Sequence, residues 1–79
     1  MPVYLFVWTP RNLQHLAENG VSPEEFEEVV CNPDLVDTSR TSGRPIAFGP
    51  TSSGRYIACV YDMLDELTIV PVTAYEITD

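Results

Sequence analysis

All the cationic side chains of this 79-residue chain are four arginines and one histidine, and their spacing bounds the chemistry it can attempt. Arg11 and His15 stand one helical turn apart, so on a helix they share a face. Histidine changes charge near neutral pH and can act as a general base beside a guanidinium that holds an anion. Arg44 and Arg55 each follow a glycine at the start of an apolar run, so they can enter one groove from neighbouring strands and clamp a phosphate. Arg40 can add an anion contact, and Tyr56, Tyr61 and Tyr75 offer rings on which bases can stack. Each residue also has a plainer use. His15 can pair with Glu18 or Asn19 on a polar helix surface, the arginines can answer nearby acids from turns and edges, and the tyrosines can pack at alternate strand positions.

The charge balance limits these options. Twelve acids oppose four arginines, lysine is absent, and the formal net charge is -8. Such a surface repels a phosphate backbone, which argues against general nucleic-acid binding and leaves room for a local arginine site; a basic partner would be attracted. The run Glu24-Glu25-Glu27-Glu28 can dock such a partner or simply be a solvated helix face. It is no metal site, because a helix sends adjacent residues about 100° apart. Cys31 and Cys59 are too few for a zinc site or a disulfide framework and are expected as free thiols. No metal and no cofactor are expected. No apolar run approaches the roughly 18 residues of a membrane span. Met1-Pro2-Val3-Tyr4 lacks a signal peptide's basic region, so a cytoplasmic protein is expected.

The elements that must position these residues can be read along the chain. Val3–Trp8 is an uninterrupted β-branched and aromatic run, expected as a strand covered on both faces or lying centrally. Thr9-Pro10 then supplies an N-cap and a first helical residue, with Leu13, Leu16 and Ala17 as the apolar stripe and Arg11, Asn12, His15, Glu18 and Asn19 opposite. Gly20 suits a helix C-terminus. Ser22-Pro23-Glu24-Glu25 is a capping box with Val21 and Phe26 as hydrophobic staple, opening a second helix whose buried stripe is Phe26, Val29 and Val30 and whose stop is Asn32-Pro33. Strands are expected at Leu35–Ser39, Pro45–Phe48, Arg55–Asp62 and Leu67–Thr73, separated by turn-forming residues. Arg55–Asp62 is apolar on both faces and so central, while Pro71 marks an edge or a bulge. The result is a single α+β domain over residues 1–79, in the order β-α-α-β-β-β(-β), with two short helices on one face of a mainly antiparallel sheet. At this size the core is marginal, and a homodimer or a complex would add burial.

That order resembles the BrnT-type branch of the RelE/ParE toxin superfamily. The resemblance is carried by Phe6-Val7-Trp8-Thr9-Pro10, by Asn19-Gly20-Val21-Ser22-Pro23-Glu24-Glu25, by Asn32-Pro33, Arg44 and Phe48-Gly49, by Gly54-Arg55 ahead of Val60-Tyr61, and by Val72-Thr73-Ala74. It spans nearly the whole chain. It implies a ribonuclease-type fold from a type II toxin–antitoxin pair, with an antitoxin-like protein partner and RNA or the ribosome as target. The departures fall on cationic positions. Glu18-Asn19 stand where the family has a Lys-His pair, Val70 and Tyr75 where it has arginines, and the chain lacks the usual Arg- and Lys-rich closing helix.

Two functions follow as expectations. One is a toxin-fold protein with reduced or lost ribonuclease activity that acts by protein contact through the exposed sheet or its Pro71-marked edge. The alternative is an active ribonuclease, in one form completed by the ribosome, with His15, Arg44 and Arg55 catalytic and Arg11, Arg40 and Tyr75 holding substrate. A free-standing member of the fold with a regulatory role is a third possibility.

Overall fold

A computed structural model of the chain describes residues 4–78. The elements are β1 (Leu5–Phe6), α1 (Pro10–Glu18), α2 (Pro23–Cys31), β2 (Leu35–Thr38), β3 (Pro45–Pro50), β4 (Tyr56–Met63) and β5 (Thr68–Glu76). They form an α+β fold with a five-stranded sheet in the order β1-β5-β4-β3-β2. Three pairings are antiparallel, and β1 runs parallel to β5.

Local chemistry sets both helices. The Thr9 side chain accepts from Asn12 N at 3.2 Å, with Pro10 opening α1. The capping box on α2 is complete: Glu25 N donates to Ser22 Oγ and Ser22 N donates to Glu25 Oε1, each at 3.1 Å. Between the helices Gly20 takes φ +72°, a left-handed conformation that closes α1 without the strain a side chain would bring.

Both helices cover the same face of the sheet. Ala47, Cys59 and Ala74 lie side by side across β3, β4 and β5, all fully buried, and this row of small residues lets Phe26 and the helix backbone sit close. Gly49 continues it, since a Cβ there would stand 3.4 Å from both Val29 Cγ1 and Asp34 N. Leu16, Val21, Phe26, Val29, Ile57 and Ile69 complete the core, with Tyr4, Phe6 and Trp8 packed on its flank. The Trp8 ring meets Phe26 edge-on at 5.4 Å, and its Nε1 donates to Glu27 Oε2 at 2.7 Å.

Several expectations are corrected. The Val3–Trp8 run is not a central strand: of its described part only Leu5–Phe6 pairs, and it forms an edge; Val3 lies outside the described residues. The parallel ladder places Leu5 N on Leu67 O and Val7 N on Ile69 O. The next donor back to β1 would be Pro71, which has no N–H, so pairing stops there. Pro71 also marks a bulge, because Val60 pairs with Thr73 and Tyr61 with Pro71, leaving Val72 unmatched on an internal strand. β5 extends to Glu76, past the expected end at Thr73. Helix α1 is rotated from the expected stripe. Only Leu16 is buried, Leu13 is 39% exposed and Ala17 faces outward. Asn12 and His15 are half-buried instead, and Asn19 turns its amide onto β5. The central position of β4 and the buried stripe of α2 are as expected.

Candidate functional site

Arg55, at the start of β4, is a junction. Its Nη1 donates to Gly20 O at 2.7 Å and to Glu25 Oε1 and Oε2 at 3.1 and 3.3 Å, and its Nη2 lies 3.3 Å from Glu76 Oε1. The turn Thr51–Gly54 joins the same network: Ser53 Oγ donates to Glu25 Oε2 at 3.0 Å and Ser52 N to Glu28 Oε1 at 2.7 Å. The backbone N–H of Ser22, helped by Ser53 and Arg55, holds the Glu25 carboxyl below its ordinary range, against the opposing effect of burial. Glu25, Glu27 and Glu28 therefore hold the fold together, and the acid run on α2 is neither a purely solvated face nor a free docking face.

Arg44 sits at the other end of the β3–β4 pair. Its Nε donates to both oxygens of Asp62 at 3.0 Å, with the two side chains 42% and 43% exposed. Strand alternation puts Arg44 with Ile46 and Phe48 on the face away from the helices, whereas Arg55 alternates with Ile57 on the covered face. Seven residues of β4 separate the level of Arg55 from that of Asp62, about 23 Å at strand rise. The structure thus does not bring Arg44 and Arg55 together, and no phosphate clamp forms between them.

The remaining candidates are dispersed. Arg11 is exposed and His15 half-buried on α1, still one turn apart. Arg40 is exposed in the turn between β2 and β3. Among the described residues, neither Arg11 nor Arg40 makes an ion pair and no side-chain hydrogen bond involves His15. Tyr61 is buried on the helix side, where burial pushes its hydroxyl pKa up. Tyr56 and Tyr75 are exposed on the opposite face. The thiols are free. Burial pushes Cys59 up to about 12 and raises Cys31 as well, with Glu27 adding to the latter. Among the described residues no cluster of three or more His, Cys, Asp or Glu could hold a metal, no ligand-sized cavity opens, and no helix is long and apolar enough to cross a membrane.

What the structure does assemble is an extended surface. On the face without helices, Leu35 pairs with Phe48, Ile46 with Val60, and Ala58 lies between Phe48 and Tyr75. Val70 stands opposite Asp62, and Tyr56 opposite Pro50. Ala58 is fully buried by its neighbours alone, while Leu35 and Tyr75 remain 57% and 44% exposed. The sequence signal for this surface was the two-sided apolar pattern of Arg55–Asp62. The strand is central, as that pattern implies, and helices cover only one of its two apolar faces. The arrangement can bind an apolar surface. Compared with protein-family models, curated proteins and solved structures, the chain matches none.

Proposed function

We propose that this chain is a cytoplasmic BrnT/RelE-like toxin-fold protein with reduced or lost ribonuclease chemistry, which binds an antitoxin-like protein partner across the helix-free face of its sheet. The observation that supports this reading is the fate of the arginines. Arg44 and Arg55 lie at opposite ends and on opposite faces of one strand pair, each neutralised by acids, while an apolar surface lies uncovered between the strand ends. Cleavage of RNA needs cations converging on the scissile phosphate, together with an acid and a base. Incubation of the purified protein with single-stranded RNA tests it. The expected result is no cleavage above that of the triple variant His15→Ala/Arg44→Ala/Arg55→Ala, and cleavage lost on His15→Ala alone would overturn it.

The second reading, an active ribosome-dependent ribonuclease, is favoured by one observation: Arg11 and Arg40 are free of ion pairs among the described residues, and Arg11 shares a helix turn with His15. Growth arrest on expression, relieved by Arg11→Ala or His15→Ala, is the result that reading requires.

A further inference from the structure

We infer that the helix-free face receives a basic amphipathic segment of its partner, an apolar stripe flanked by arginine or lysine. The inference rests on the protein-contact reading above and adds the partner's chemistry. Five strands about 4.8 Å apart and about six residues long give about 500 Å² of sheet, so covering it on both sides buries about 1,000 Å², the lower bound of a specific interface. Leu35, Ile46, Phe48, Val60, Val70 and Tyr75 supply the apolar ground.

Charge selects the occupant. Arg44 on this face is neutralised by Asp62. Asp37 on the edge strand β2 stands on this face opposite Ile46, and Asp65 and Glu66 lie in the turn at the end of β4, on a chain of net charge -8. A second copy would set acid border against acid border and net charge -8 against its equal. A segment with flanking cations gains where a second copy loses. The edge of β2 is also blunted against strand addition at Thr38, whose N donates to Asp37 Oδ1 at 2.8 Å.

The test uses two helical peptides with identical leucine positions, one with lysine and one with glutamate elsewhere, titrated into isotope-labelled full chain. The lysine peptide is expected to shift the amide signals of Ile46, Phe48, Val60 and Val70, and to weaken about tenfold between about 0.05 and about 0.5 M salt. The glutamate peptide is expected to leave them unmoved. Leu35→Ser/Tyr75→Ser, both exposed and so safe for folding, should weaken binding about tenfold. Asp37→Asn should weaken it measurably, and Glu24→Gln, on the far side, should not. Equal binding of both peptides, shifts confined to α1 and α2, or equal effects of Asp37→Asn and Glu24→Gln would overturn the inference. A dimer in sedimentation that shields these same residues would overturn it in favour of a second copy. Binding of the glutamate peptide alone on this face would refute the basic partner and leave the protein-contact reading standing. RNA cleavage dependent on His15 would refute that reading without touching the face.

Discussion

Arg55 donates to both carboxylate oxygens of Glu25, at 3.1 and 3.3 Å, and so fastens the first turn of α2 to the start of β4. The same guanidinium holds Gly20 O and Glu76, so one side chain joins both helices to two strands. Arg55→Ala takes the cation from two carboxylates and a donor from the Gly20 carbonyl, while Glu25 keeps Ser22 N and Ser53 Oγ. A loss of about 2 kcal/mol in urea denaturation is expected, with partial recovery in Arg55→Lys, whose ammonium cannot reproduce the fork. A fall in any activity of Arg55→Ala should follow the fall in folded protein.

Acid should loosen this junction. Glu25 has a lowered pKa in the folded state, set first by the Ser22 N–H, so the folded chain binds its proton less readily than the unfolded chain. The resulting stability is full above the unfolded value of about 4.3 and is lost as pH falls through the lower folded value. Asp65, lowered by Leu67 N–H and then by the Thr68 hydroxyl, acts in the same direction. Glu25→Gln is expected to be less stable near neutrality and to show a shallower decline in denaturation midpoint between about pH 5 and about pH 2.

The parts of this molecule legible in its sequence are those fixed within a few residues. Ser22 and Glu25 meet because a capping box is a local object, and the central place of β4 follows from apolar residues on both of its sides. What could not be read depends on register. Arg44 meets Asp62 only because β3 and β4 pair with Ile46 against Val60. The rotation of α1 was equally hidden: Leu13, Leu16 and Ala17 make a fair stripe, but the Asn19 amide finds Ala74 O at 2.9 Å and Thr73 Oγ1 at 3.3 Å, contacts that exist only once the helix lies on β5.

Asn19 is therefore a structural residue. The ladder of β1 on β5 ends with Val7 N on Ile69 O, and further along β5 the Asn19 amide supplies a donor to the Ala74 carbonyl. Asn19→Ala is expected to cost about 1 kcal/mol. Asn19→Asp, which sets a carboxylate against that carbonyl, should cost more. Chemical denaturation of both variants gives the comparison, and equal stability of the two would contradict it.

The thiols should be nearly inert. With Cys59 pushed up to about 12 by burial, and Cys31 raised by burial and Glu27, almost no thiolate exists at neutral pH. A thiol reagent is expected to label Cys31 slowly in the native protein, to leave Cys59 untouched, and to label both at once in urea, with mass spectrometry assigning the sites.

The Arg44–Asp62 pair offers a clean separation of folding from function. Both side chains are more than two-fifths exposed, at 42% and 43%, so solvent screens their attraction despite the 3.0 Å geometry. A double-mutant cycle with Arg44→Ala and Asp62→Ala is expected to give a coupling of about 0.5 kcal/mol, falling with added salt. Arg44→Ala should then leave the unfolding midpoint close to wild type. Because Arg44 lies on the helix-free face among Ile46, Phe48 and Val60, any change that Arg44→Ala causes in partner binding reports on that face directly. A coupling several times larger, with unfolding at ordinary temperature, would make the pair structural and remove Arg44 as a probe.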